Sequence, residues 1–481
     1  MEIIELISER EDFIPDYNEL IRAFAPHIVP GKGGRKIIIN IDWIVGISAN
    51  IRLNCFNLNG ISEYNYENKL ILEEITDINK QKSEIKRDSK AALYNCLCEI
   101  SKITLPYGAL TGIRPTKLYH DLIIKGIDAM AYLKDYMKVS DSKCKLISDI
   151  VAAQEGIYDY KGEASDIFVN IPFCVSRCSY CSFICAEYGK VKRYIPEYID
   201  ILIKEIDDVK KMLQLSGRKV RCVYVGGGTP TSLSDRDFAA VLSHLKGLAD
   251  EFTVEAGRPD TITESKLKIM DEMGVTRISI NPQSFNDKTL ALIGRSHSVS
   301  QVYDAFDAAS KYNFDINTDL IAMLPHEGLE EFAHSVDCAI ALKPSNITVH
   351  TLALKKGSVL KESGYDNKGD ILPAKMIDYA AEKLSASEYF PYYMYRQKYM
   401  SGNLENTGYC LKGKQCVYNI DIMEECSTIF ACGAGAISKA LIPKEGRIER
   451  LANPKGLDVY LSRKEMIIEQ KRDFFARNLG F

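Results

Sequence analysis

A chain of 481 residues is too long for one ordinary domain and suits two or three. With 46% hydrophobic and 26% charged residues it reads as a globular protein, and 61 Lys and Arg against 65 Asp and Glu leave a net charge of −4. That balance argues against a globally basic nucleic-acid binder, so an anionic substrate would have to meet a local cluster of cations. The opening segment MEIIELISERED has no basic stretch followed by an apolar one, and no apolar run reaches bilayer length, so a cytoplasmic protein without a membrane segment is expected.

Residues 1 to about 65 read as a small β-rich unit. Residues 36–41 are a β-branched run after the glycine turn 31–34, and Ile51, Leu53 and Cys55 alternate with Arg52 and Asn54 as on a half-buried strand. The charge-rich stretch 79–90 leads into a helix, AALYNCLCEISKI. Glycines and proline mark YGALTGIRPTK, with Arg114 and Lys117, as a loop, and helical segments follow to about residue 160. This first part is expected to be a small α+β accessory domain over 1–160.

From residue 166 the pattern becomes regular. Strands are expected over 167–172, 220–225, 252–255, 277–280, 315–323 and 347–352, with helices over 194–213, 235–248, 265–273, 300–312 and 329–342. Six short apolar strands separated by helices imply right-handed βαβ units and a parallel sheet. The expected fold is α/β, a partial (β/α)6 TIM-like barrel over 161–365, with its site at the strand C-terminal ends. Residues 366–481 break the rhythm with PYYMYRQKYMSGN, IFACGAGAISKAL and a charged helical tail, and are expected to be a C-terminal region covering the substrate.

Cysteine usage singles out one loop. Of 14 cysteines, Cys96, Cys98, Cys222 and Cys338 sit in apolar periodic stretches as small core residues. Cys174, Cys178, Cys181 and Cys185 instead crowd IPFCVSRCSYCSFIC, directly after the first barrel strand. Three thiolates on a tight loop suit a [4Fe–4S] cluster with one iron lacking a protein ligand. The rival is a four-cysteine zinc site completed by Cys185, although zinc usually draws two separated pairs.

The next strand ends in YVGGGTPT, where bare backbone lets an amino-acid head group lie close. Glu255, Gln283, Arg295 and Asp319 sit at the ends of later strands or just beyond them. Singly each is an ordinary loop residue; together they ring one mouth with acid, amide and base. A carboxylate there can bind ribose hydroxyls, and an arginine a carboxylate.

These motifs resemble the radical S-adenosylmethionine (SAM) superfamily, and more narrowly the oxygen-independent coproporphyrinogen III oxidases of the HemZ type. The resemblance runs over about residues 100–460, through LPYGALTGIRPTKL, NIPFCVSRCSYCSF, VYVGGGTPT, TRISINPQSFNDKTLALIGRSHS, DLIAMLPHE, VHTLALKKGS, PYYMYRQKYMSGNLENTGY and FACGAGAISK. It implies a [4Fe–4S] cluster on Cys174, Cys178 and Cys181, with Tyr180 packed near SAM and Gly227, Gly228 and Thr229 against its head groups. It further implies that Glu255, Gln283, Arg295 and Asp319 contact SAM or a second SAM, and that Ala353 and Ile437 line adenosine sites.

The implied activity is oxidative decarboxylation of two propionates of coproporphyrinogen III to vinyl groups, giving protoporphyrinogen IX in haem biosynthesis, with a flavodoxin- or ferredoxin-type electron donor. Tyr392, Tyr393, Tyr395, Arg396 and Lys398 supply the aromatic and cationic mixture that a propionate-bearing ring needs, and Arg114 and Lys117 can add to it. The alternatives are a haem-binding chaperone and a haem-modifying radical SAM methyltransferase. Three departures from the family pattern stand out. Phe168 replaces a tyrosine six residues before Cys174, Phe183 takes the place of a further cysteine, and Met323-Leu324-Pro325-His326 replaces Gly-Leu-Pro-Gly.

Overall fold

The computed structural model describes residues 2–481 apart from 76, 113, 184, 185, 356, 366–370, 398, 399, 401, 403, 444 and 445. Two compact units divide at Asp149 and Ile150. No helix among the described residues is long and apolar enough to cross a membrane.

In the first unit, five strands form one sheet in the order β2-β1-β3-β4-β5. They are β1 (Glu2–Ser8), β2 (Ile28–Pro30), β3 (Arg35–Ile44), β4 (Ser48–Phe56) and β5 (Ser62–Ile71). Ile51, Leu53 and Cys55 point inward as their alternation requires. The charged stretch expected ahead of the helix lies inside it: Ile78–Ser101 is one helix of 24 residues, and the Asp77 side chain accepts from the Asn79 and Lys80 amides at its start. Its buried face takes up Ile85, Ala92, Leu93 and Leu97 and also Asp88, which accepts from the Tyr66 hydroxyl at 3.0 Å and the Asn68 amide at 2.9 Å.

The second unit carries β6 (Ser165–Ile171), the short pair β7 (Phe173–Cys174) and β8 (Ala186–Glu187), then β9 (Val220–Gly227) and β10 (Glu251–Val254). After them come β11 (Arg277–Ser279), β12 (Asp315–Ala322), β13 (Asn346–Thr351), β14 (Phe390–Tyr395) and β15 (Asn406–Cys410). The last three are β16 (Thr428–Cys432), β17 (Ile437–Ile442) and β18 (Arg447–Ala452). Apart from β7 and β8 these form an 11-stranded sheet in the order β14-β15-β13-β12-β11-β10-β9-β6-β16-β17-β18.

Its six central strands, β6 and β9 to β13, are parallel and lie in chain order, the partial (β/α)6 arrangement the alternation implied. The arc stays open, because β14 and β18 end the sheet without pairing with each other. Residues 366–481 are not a region apart. They extend the same sheet at both edges, with β15 antiparallel to β13 and β16 parallel to β6. The Tyr-rich segment expected as part of a cover is the edge strand β14. Period-2 alternation lets such a segment serve as a strand with one face inward, and its backbone groups then find partners on β15.

One face of the strands packs on helices. Ile167, Val169, Val223 and Val225 join Tyr198, Leu202 and Ile206 of the helix Ile195–Ser216 in the main core. The opposite parity, Phe168 and Tyr224, turns to the concave side and stacks on Tyr418 of the helix Val417–Glu424. Helices start where side chains satisfy their free amides: Ser234, Thr263 and Ser298 each accept from the third residue on.

Candidate functional site

A cavity of about 450 Å³ opens at the C-terminal ends of the parallel strands. Cys174, Cys178 and Cys181 all line it. Their loop is held from several sides. The Thr229 amide donates to the Phe173 carbonyl at 2.7 Å, the Ser179 amide to the Ile293 carbonyl at 2.9 Å, and the Cys181 amide to the Cys178 carbonyl at 3.1 Å. The Thr229 hydroxyl donates to the Cys174 sulfur at 3.5 Å. Arg258, paired through both nitrogens with Asp260 at 3.0 Å, also donates to the Ser176 hydroxyl at 2.8 Å.

The glycine turn has a reason beyond ligand access. A Cβ at Gly228 would stand 2.5 Å from the Phe173 carbonyl oxygen, and one at Gly227 would stand 1.7 Å from Asn170 Oδ1, with φ +104° there. The turn therefore needs glycine in order to lie against the cysteine strand, and Gly227, Gly228 and Thr229 then face the cavity. Glu255 reaches back to it. The Tyr224 hydroxyl donates to Glu255 Oε1 at 2.6 Å and the Gly227 amide to Oε2 at 3.1 Å. Burial, with Asp319 adding to it, nevertheless pushes the Glu255 carboxyl up to about 7.

Arg295 donates to the carbonyls of Asn281 at 2.6 Å and Gly257 at 3.2 Å, and to the Tyr180 hydroxyl at 3.3 Å. Tyr180 lies between two of the loop cysteines and lines the cavity with them. Burial pushes the Cys181 thiol up, and the neighbouring Cys178 and Cys174 add to this, so thiolates there need nearby positive charge. Arg295 and Lys355 face them.

On the neighbouring strands β12 and β13, Asp319 stands 3.7 Å from His350 Nε2, and His350 Nδ1 is 3.2 Å from the Tyr395 hydroxyl. Gln283 sits at φ +69° and its amide donates to the Asp319 carbonyl at 3.0 Å. Among the described residues, Gln283 Oε1, Asn281 Oδ1 and Arg295 Nε are buried without a hydrogen-bond partner. Buried polar atoms are rarely left so, and these three lie on side chains that line the cavity, the condition of a site shaped for a polar ligand.

The structure thus gathers Cys174, Cys178, Cys181, Tyr180, Gly227, Gly228, Thr229, Glu255, Gln283, Arg295, Asp319 and Ala353 on one cavity. It does not bring Ile437 or Arg396 there. Ile437 opens β17 with 44% of its surface exposed, outside the cavity lining. Arg396 is only 4% exposed and has the parity opposite to Tyr393, Tyr395 and Gln397, which do face the cavity. Lys398 and Cys185 lie outside the described residues. Phe168 is also outside the lining, because its ring is occupied in the stack with Tyr224 and Tyr418.

Sequence reasoning missed Asn281, Asn317, Thr348, His350, Lys355 and Asn406, all of which line the cavity. Strand parity was the available signal. Asn317 shares the parity of Asp319 on β12, so that neighbour was readable from the sequence; Thr348 and His350 share a face of β13, and only the register Asp319 to Thr348 shows that it is the same face.

Fold and site together define a radical SAM protein, and the family model for the radical SAM superfamily matches residues 169–339. The oxygen-independent coproporphyrinogen-III oxidase-like protein HemZ of Bacillus subtilis is 38% identical over 405 residues, covering 81% of this chain and 80% of that protein. The chain belongs to this HemZ family within the radical SAM superfamily. The heme chaperone HemW of B. subtilis is 33% identical over 199 residues, 40% of this chain and 51% of that protein. The structure of coproporphyrinogen III oxidase (HemN) from Escherichia coli superposes with a TM-score of 0.51 at 20% identity, over 67% of this chain and 73% of that one, a shared fold. The superfamily uses a [4Fe–4S] cluster and SAM, and these are the cofactors of this chain. The residues present fit them: three thiols on one cavity loop, a glycine cradle beside it, and unpartnered buried amides opposite.

Proposed function

We propose that this protein is an oxygen-independent coproporphyrinogen III dehydrogenase of the cytoplasm, converting two propionates of its substrate to vinyl groups with loss of carbon dioxide and yielding protoporphyrinogen IX. The observation that carries the reading is that one cavity joins the three thiols to a floor of tyrosines, amides and His350, in a chain 38% identical to a coproporphyrinogen-III oxidase-like protein. When bound, the cluster and SAM supply one-electron cleavage of SAM and a hydrogen-abstracting radical.

Cys174, Cys178 and Cys181 hold the cluster as thiolates, with Arg295 and Lys355 offsetting their charge. Gly227, Gly228 and Thr229 bind the amino-acid end of SAM, Glu255 and Asp319 accept from ribose hydroxyls, and Gln283 and Ala353 orient the nucleoside. Ile437, away from the cavity, has no support as a contact of a second SAM. An electron donor of flavodoxin or ferredoxin type serves the cluster; each propionate would give up one hydrogen atom to the SAM-derived radical and, as carbon dioxide leaves, one further electron to a one-electron acceptor outside the chain.

The substrate's carboxylates need cations. Arg258 is committed to Asp260, Arg295 to two carbonyls, and Arg177 to the Gly357 carbonyl. Lys355 lines the same cavity, and its ammonium makes no hydrogen bond or ion pair among the described residues, so it is the cation left for a propionate. Tyr393 and Tyr395 supply flat apolar surface beside it.

The test is an anaerobic assay with reconstituted protein, SAM, a low-potential reductant and coproporphyrinogen III. Sequential mass losses matching two oxidative decarboxylations are expected. The heme chaperone relatives favour a second reading, delivery of haem, and stoichiometric haem binding without any mass change in coproporphyrinogen would establish that one instead. A methylated tetrapyrrole would point to methyl transfer.

A further inference from the structure

At the other end of the parallel strands, away from the cysteine loop, Asp166 of β6, Cys222 of β9 and Asp421 of the helix Val417–Glu424 meet inside the sheet. Asp166 and Cys222 are direct cross-strand partners, and Asp421 is brought over them by the helix whose Tyr418 stacks on Tyr224. One oxygen of each carboxylate and the sulfur lie within 4.8 Å of one another. All three side chains are 0% exposed.

The polar accounting at this spot does not close. Among the described residues neither oxygen of Asp166 receives a hydrogen bond, nor does Asp421 Oδ2. The Ser427 hydroxyl lies beside Asp166 but donates to the Thr428 carbonyl at 3.2 Å. Asp421 Oδ1 takes the Cys426 thiol at 3.3 Å and stands 3.4 Å from Arg221. Arg221 is the cation facing the pair, while Glu251 and Asp159 add negative charge from neighbouring segments. Glu251 is itself occupied, accepting from the Val417 and Tyr418 amides at 2.9 Å. A buried carboxylate with both oxygens unsatisfied is costly, and burial drives its proton affinity up. A proton shared between the two acids would satisfy one oxygen of each and leave the second Asp166 oxygen and the sulfur without a partner.

We propose that Asp166, Cys222 and Asp421 form a second metal site, separate from the cysteine loop, that takes one divalent transition-metal ion, zinc by its donor chemistry. One thiolate and two carboxylates suit that borderline-soft ion, and the second Asp166 oxygen completes four-coordination. Binding replaces the Cys222 thiol proton, and any proton on the carboxylates, with the cation; those protons leave to solvent. Two carboxylates and a thiolate against Arg221 and a divalent ion leave no net charge among these groups. The ion would tie β6, β9 and the helix Val417–Glu424 together behind the Phe168–Tyr224–Tyr418 stack, so its part is structural.

The test is elemental analysis of the anaerobically purified holoprotein, incubated with zinc and then exchanged into metal-free buffer. The expected result is one zinc per chain in addition to the cluster iron, retained when Cys174, Cys178 and Cys181 are all replaced by Ala and lost in Asp166→Asn and Cys222→Ser while cluster iron remains. Should those two variants fail to fold, cobalt added to the triple-alanine protein must give a thiolate-to-cobalt charge-transfer band in the near ultraviolet. Absence of stoichiometric zinc in the wild type, zinc unaltered by Asp166→Asn, or absence of the cobalt band overturns the proposal and leaves the carboxylates sharing a proton.

Discussion

The Arg295 guanidinium donates to the Tyr180 hydroxyl at 3.3 Å, tying the residue between two loop cysteines to a segment more than a hundred residues later. The same side chain holds the Asn281 and Gly257 carbonyls, so one buried cation spans three elements of the cavity wall. Arg295→Ala leaves these acceptors bare and removes charge-assisted bonds, a cost on the order of 3–5 kcal/mol. Anaerobic iron content per chain should fall along with stability, and Arg295→Lys should recover only part of both, since an ammonium cannot span the fork. Full iron loading in the Ala variant would show that the loop holds its geometry without this tie.

The cysteine loop makes a separate demand. Ala in place of Cys174, Cys178 or Cys181 should abolish iron–sulfur absorbance and SAM cleavage, whereas Cys185→Ala should keep both, because a fourth protein ligand would occupy the iron that SAM needs. Loss of iron in the Cys185 variant would defeat three-ligand binding.

Lys355 and Arg396 part company. Lys355→Ala should weaken porphyrinogen affinity roughly tenfold to a hundredfold through loss of a charge-assisted contact, while cluster iron falls less than in Arg295→Ala, because Arg295 still faces the thiolates. Arg396, buried on the opposite parity, should act on folding: Arg396→Ala costs on the order of 2–4 kcal/mol of stability and leaves affinity alone. Equilibrium binding and denaturant unfolding on both variants read the two effects, and the reverse pattern would restore Arg396 as the propionate clamp.

Glu255 gives a pH signature in the cofactor-free protein. Burial holds its carboxyl at about 7, above the ordinary 4.5 of a glutamate, so the folded state binds the extra proton. Its stabilising contribution is complete below 4.5 and is lost as the pH rises to 7, on the order of 3 kcal/mol in all. Glu255→Gln should flatten the stability profile across that window. An unchanged slope would mean that the Tyr224 and Gly227 donors outweigh burial.

Met323 and His326 both sit in the left-handed region, at φ +69° and +63°, in the segment where the resembling family carries glycine. His326 is exposed, so His326→Gly relieves backbone strain without opening the core and should raise stability by about 0.5–1 kcal/mol, read as a shift in the denaturant midpoint. Met323 is 7% exposed, and Met323→Gly should destabilise, because lost packing exceeds the relieved strain. A stabilised Met323 variant would contradict that balance.

The sequence by itself determined the six parallel strands, the thiol loop and the glycine turn, because period-2 and period-3.6 patterns and ligand spacing are local properties written in consecutive residues. It did not determine where residues 366–481 go. Nothing within β14 or β16 says which strand it will pair with, and only pairing with β15 and β6 placed them on opposite flanks of one sheet, β14 at the edge and β16 inside β17 and β18. Arg396 and Lys355 show the same limit at the site. Charge and composition recommended Arg396, but one step of parity turned it away from the cavity, while Lys355, in a plain run of LALKK, faced it. The meeting of Asp166, Cys222 and Asp421, two strands and a distant helix, is written in no stretch of sequence, since side chains 255 residues apart become neighbours only when the helix Val417–Glu424 packs on the sheet.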